Sequence, residues 1–198
     1  MRTTIALAAA ALSLAASFTA TPAFAERNSA LSFLEEEAGI RDIPRVERAA
    51  AYTPIPRSEI AWYGSEAPGT IIINTTERRL YLVQGDGTAI RYGIGVGRPG
   101  FEWSGRERIT RMAEWPTWTP PEEMRQRQPG LPESMPGGVE NPLGARALYL
   151  GGTLYRIHGS NEPWTIGQAV SSGCIRMTND DVVDLYERVR IGAEVIVL

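Results

Sequence analysis

The chain has one cysteine and one histidine, Cys174 and His158, with fifteen residues between them. A thiol becomes a useful nucleophile when a base takes its proton, and this chain can offer its cysteine one imidazole. Cys174 ends a Ser/Gly-rich stretch, Ser171-Ser172-Gly173-Cys174. A glycine just before the nucleophile lets the backbone approach a reacting carbonyl and turn N–H groups toward an oxyanion, which suits acyl transfer. Taken singly, each residue has a plainer role: a lone cysteine packs as a small hydrophobe, and a lone histidine sits satisfied on a surface or in a core. Metal binding is excluded by ligand supply, since one His and one Cys fall short of the usual soft set. A dithiol redox couple lacks its second cysteine. No cofactor is implied.

The elements that must hold these residues are short strands and one helix. Thr70–Ile73 is β-branched, Asn74-Thr75-Thr76 turns, and Arg79–Gln84 resumes as a strand. Gly85-Asp86-Gly87 then turns the chain into Thr88–Val96 as a hairpin. Further strands are predicted near Glu107–Met112, Ala147–Leu150, Leu154–His158 and Glu194–Leu198. Thr178 caps a helix, with Asp181 three positions on and Val182, Leu185, Tyr186 and Val189 along one face. Arg188 and Arg190 lie near its C-terminal end, where positive charge is favoured. That helix starts just after Cys174, so the cysteine loop is pinned between strand and helix. Prolines at 116, 120, 121, 129, 132 and 136 mark a segment from Trp115 to Asn141 with little regular structure. Its Trp115, Trp118, Met124 and Leu131 favour packing over disorder, as a lid or wall over the site or as a surface excursion.

The ends of the chain bound its setting. Residues 1–25 read as a signal peptide: Arg2, an apolar run from Ile5 to Ala16, and the small-x-small pattern Ala23-Phe24-Ala25. The run falls short of the ~20 apolar residues of a membrane span. Its removal takes the formal charge from −3 to −4, and every one of the 20 basic residues is Arg. A mildly acidic protein without a basic cluster is a poor partner for nucleic acid or an anionic membrane. The expected product is exported and free of a membrane span, with the periplasm as the preferred compartment. Residues 26–68 form an N-terminal arm, with a short helix capped by Ser29, then prolines at 44, 54, 56 and 68. The arm is too thin for its own core, so it is expected to be a tether or a strap on the main domain.

His158-Gly159, followed after the interval by Ser171-Ser172-Gly173-Cys174-Ile175-Arg176-Met177, resembles the signature of the L,D-transpeptidase catalytic domain of YkuD type. Gly69–Asn74 with Arg79–Val83 resembles the family's opening hairpin, Tyr92–Gly97 the strand after it, and Asn141–Leu148 the segment before the histidine strand. The resemblance covers residues 69–198. It implies a mainly β fold, a compact sandwich of short strands with one short helix after the cysteine loop. It also implies a reaction on peptidoglycan tetrapeptide stems: attack on the bond before the terminal D-Ala, loss of D-Ala, a thioester, and transfer to an amine on another stem or on a wall-attached protein.

Carried onto this chain, Cys174 is the nucleophile, as a thiolate paired with His158, and the Gly159 carbonyl orients the imidazole. His158 takes the thiol proton and later protonates the leaving amine, as a group titrating near neutrality. The N–H groups of Ser172, Gly173 and Cys174 form the oxyanion hole. Arg176 binds a substrate carboxylate or braces the loop, and Asn161 and Trp164 line the cleft or, for Trp164, pack. Where many relatives have a second histidine, this chain has Ser172, so His158 has no substitute. A hydrolase or carboxypeptidase on the same fold and a non-catalytic wall-binding protein are the competing functions.

Overall fold

The computed structural model describes residues 52–198. The expected signal peptide and the helix expected after Ser29 lie outside the described residues. Isoleucines 71–73 show how the fold is built. They form β2 (Ile71–Asn74), buried on both faces. Ile71 and Ile73 enter the main core, while Ile72 joins Val83 and Ile196 under Trp62 and Tyr81 on the other face.

Around β2, the predicted hairpin forms from β3 (Arg79–Val83) and β4 (Thr88–Gly93). Outside it, β1 (Ser58–Ala61) adds antiparallel to β4. Residues 58–61 thus extend the sheet by one edge strand. Ile55 lies against Gly93 and Gly167, where a Cβ would meet it at 2.8 Å and 3.0 Å respectively. Arg57 reaches Asp181 and Asp184 at 3.5 Å and 3.3 Å.

The expected strand Thr88–Val96 is two elements. β4 stops at Gly93, and β5 (Val96–Gly97) pairs instead with β9 (Ala169–Ser171). Between them Gly95 exchanges both backbone hydrogen bonds with Arg176 at 2.9 Å. A Cβ on Gly95 would lie 2.9 Å from the Thr165 carbonyl, so a side chain would block this approach.

The ten-residue β6 (Gly105–Glu114) links the two halves of the molecule. Its first part pairs with β11 (Glu194–Val197) and its second with β7 (Arg146–Leu150), with a register shift between Ile109 and Arg111. Such an irregularity bends a strand. The full order is β1-β4-β3-β2-β11-β6-β7-β8-β10, ending in β8 (Arg156–His158) and β10 (Ile175–Arg176). Leu80 and Tyr92 from one half share a core with Leu148, Ile157 and Ile175 from the other.

Two helices complete the described chain. The proline-rich segment holds a short one, α1 (Glu122–Arg127), which the sequence did not suggest. Trp118, Met124, Leu131 and Leu143 form a separate buried cluster there. The second helix, α2 (Asn179–Arg188), is the predicted one. The Thr178 hydroxyl accepts from Asp181 N–H at 3.1 Å, and Val182 and Leu185 are fully buried. Among the described residues no helix is long and apolar enough to cross a membrane.

Candidate active site

β8 and β10 run parallel, with Ile157 opposite Ile175 and His158 opposite Arg176. Side chains alternate along a strand, so Ile157 and Ile175 enter the core while Arg156, His158 and Arg176 take the other face. Cys174, one residue ahead of β10, falls beside Arg156 in this register. All four line one open cavity of about 710 Å³. Trp118, Pro121 and Met124 wall it from the proline-rich segment, and Phe101, Leu154 and Tyr155 complete an apolar mouth.

His158 is held by a single orienting bond. Its Nδ1 lies 2.5 Å from the Gly159 carbonyl, which makes Nδ1–H the donor and leaves Nε2 as the basic nitrogen. Gly159 has no room for a side chain, since a Cβ would press on Asn179 Oδ1 and meet Ala145 N at 3.0 Å. Burial, then the Arg176 and Arg156 charges, push the His158 pKa down to about 3, against the opposing pull of the Gly159 hydrogen bond. This corrects the expectation of a group titrating near neutrality. The resting imidazole is neutral and available as a proton acceptor.

Cys174 is partly exposed, and its thiol donates to the Leu154 carbonyl at 3.8 Å. The turn before it is closed by Ser171, whose hydroxyl donates to the Cys174 carbonyl at 2.5 Å and accepts from Gly173 N–H at 3.1 Å. Gly173 adopts φ 103°, and a Cβ there would drive into the Tyr155 ring. Tyr155 stacks on Trp103 at 4.5 Å, and Trp103 Nε1 donates to the Gly173 carbonyl at 2.8 Å. Arg98 donates to Ser172 Oγ at 2.9 Å.

Some expectations need correction, and for Arg176 and Trp164 the structure favours one of the two roles open to each. Gly173 N–H, expected in the oxyanion hole, is committed to Ser171. Arg176 is nearly fully buried, and Nη1 bonds Glu162 Oε2 at 3.1 Å and Thr165 Oγ1 at 3.5 Å, so it braces the loop. Asn161 does not line the cavity and donates to the Glu140 carbonyl at 2.9 Å. Trp164 is buried in a 3₁₀ turn and does not line the cavity. Ser171, Trp103, Tyr155 and Arg98 were missed. The Ser-Ser-Gly run carried a signal for Ser171, because serine hydroxyls close such turns. The aromatics lie far from Cys174 or across a turn, and carried none. No group of three or more metal-ligating side chains occurs among the described residues.

A sandwich with a His–Cys cavity at its sheet edge, walled by a proline-rich excursion, defines the class. The chain belongs to the YkuD family, the L,D-transpeptidase catalytic domain, whose family model matches residues 68–197. It is 41% identical over 133 residues to the probable L,D-transpeptidase ErfK/SrfK of Escherichia coli K12, covering 63% of this chain and 42% of that one. The chain spans about half or less of the length of the curated relatives named here. The probable L,D-transpeptidase YcfS of the same organism is 35% identical over 176 residues, 83% of this chain and 53% of the relative. Among solved structures, one from Brucella melitensis, described as a probable carnitine operon oxidoreductase, is 44% identical with a TM-score of 0.51, covering 78% of this chain and all of that one.

Proposed function

We propose that this protein is an exported cysteine L,D-transpeptidase acting on peptidoglycan tetrapeptide stems. The observation that carries it is the parallel β8–β10 pair, which brings Cys174 and a neutral, Gly159-oriented His158 into one cavity. The thiol adds to the carbonyl of the third stem residue as its proton passes to His158 Nε2. The N–H groups of Ser172 and Cys174, which have no acceptor within the described residues, support the oxyanion. Losing one such donor typically costs about 10²–10³ in rate. His158 then hands the proton to the D-Ala amine, the C–N bond breaks, and a thioester remains. An amine on another stem, or on a wall-attached protein, attacks the thioester and returns the thiol.

A neutral imidazole leaves His158 Nε2 able to accept a proton as acylation proceeds. The apolar walls favour this, since excluding water strengthens each dipole aimed at the reacting carbonyl. An oxidoreductase role, suggested by the description of the Brucella melitensis structure, has no carrier in the form of a dithiol, since the chain has one cysteine.

The test is mass spectrometry of the protein with purified tetrapeptide muropeptides, beside Cys174→Ala and His158→Ala. Crosslinked dimers lacking one D-Ala, absent with both variants, are expected. Tripeptides alone would make it a hydrolase. No product, together with no acylation of Cys174 by a carbapenem, would leave a wall-binding role.

A further inference from the structure

With Arg176 committed to Glu162, the cavity still contains a cation. Arg156 opens β8 two residues before His158 and lies beside Cys174 in the register of the parallel pair. It lines the same cavity and is half-buried. Among the described residues its side chain makes no hydrogen bond or ion pair, and its Nε is buried without a partner. A guanidinium in that state awaits an acceptor, because a buried donor left unmet costs free energy. Its one close neighbour of note is the Tyr149 ring, 5.2 Å from the guanidinium carbon. Tyr149 is the cross-strand partner of both Arg156 and Arg111, and Arg111 lies over the same ring at 3.5 Å. The row Arg111–Tyr149–Arg156 therefore runs along the sheet from solvent to the nucleophile, holding Arg156 from behind and adding a second positive charge.

Resting on the function proposed above, we infer that Arg156 is the specificity-determining residue that binds the carboxylate of the leaving residue. The atoms favour that carboxylate. It lies one residue beyond the attacked carbonyl, about 3.8 Å further in Cα spacing, and Arg156 lies one strand spacing, about 4.8 Å, from Cys174. The planar fork suits a carboxylate in two-point fashion. The side-chain carboxylate of a third-position diamino acid is the other source of the same chemistry, and it lies further from the scissile bond.

The experiment compares Arg156→Gln and Arg156→Lys with the unaltered protein on three donors. These are the free tetrapeptide stem, the stem amidated at its terminal carboxylate, and the stem amidated at the side-chain carboxylate. The readout is kcat/KM for Cys174 acylation, and the loss caused by each substitution is compared across donors, so intrinsic reactivity cancels. Arg156→Gln should lose about 10- to 100-fold on the free stem, the worth of a charged hydrogen bond. That loss should disappear on the terminally amidated donor and persist on the other, with Arg156→Lys intermediate.

Disappearance on the side-chain-amidated donor alone would overturn the assignment to the leaving residue. Equal loss on all three donors, or none on any, would overturn the carboxylate subsite. If the unaltered protein acylates with no donor, the transpeptidase function fails. Binding of the free and amidated stems to Cys174→Ala and to Cys174→Ala with Arg156→Gln then decides the subsite. A preference for the free terminal carboxylate that Arg156→Gln abolishes supports it, and equal binding refutes it.

Discussion

Arg176→Met separates a bracing arginine from a substrate-binding one. The Arg176–Glu162 pair spans 3.1 Å with side chains 7% and 2% exposed, so water screens it little. Removing the guanidinium breaks a buried ion pair from one side, which typically costs about 3–5 kcal/mol. At about 2–4 °C of melting temperature per kcal/mol for a domain of this size, the midpoint should fall by roughly 6–20 °C. Replacing both partners, Arg176→Met with Glu162→Leu, removes the carboxylate along with the guanidinium and should recover part of that loss. Urea unfolding of the variants at neutral pH provides the energies. The single substitution also lifts a charge that depresses His158, so the imidazole should titrate higher, visible in its NMR proton shifts. A cost below about 1 kcal/mol, the range of an exposed pair, would refute the bracing role. A loss confined to kcat/KM with carboxylate-bearing donors would return Arg176 to substrate binding.

Other predictions concern the rest of the site. His158 is held near 3 in the folded chain against 6.5 unfolded, so the unfolded state binds the extra proton between those values. That component of stability is present above pH 6.5 and is lost as pH falls toward 3; His158→Gln should flatten the fall in urea midpoint, and an unchanged slope would contradict the buried neutral state. Gly173→Ala forces a left-handed φ and a contact with the Tyr155 ring, expected to cost on the order of 2 kcal/mol and most of the acylation rate; near-normal acylation would show that the turn is not needed in this form. Replacing the α1 tip of the proline-rich wall should alter acceptor use more than acylation, and an equal fall in both would remove its role in acceptor choice. Deleting residues 52–61 uncovers the β4 edge and the Gly93–Gly167 notch, so the melting temperature should drop, whereas an unchanged midpoint would make the strap a passive tether.

What local pattern could determine, the sequence determined. Three consecutive isoleucines followed by a turn made β2 and its hairpin legible, because β-branched side chains buried on both faces stabilise a central strand. The Thr178 cap and the i, i+3, i+4 spacing marked α2, because capping and amphipathicity act within a few residues. That Cys174 and His158 share a cavity was also legible, since the chain has one of each and a thiol site needs a base nearby. β9 and β10 were not, because strands of three and two residues carry no periodicity and exist through their neighbours. The break at Gly95 depended on a backbone across the molecule, at Arg176. Only the tertiary structure decided which arginine braces and which lies beside Cys174. Arg156 and Arg176 look alike in the chain, but the parallel pairing of β8 with β10 and the location of Glu162 commit one and leave the other open. It also decided the charge of His158, since burial beside two guanidinium groups is a property of packing, and no stretch of sequence contains it.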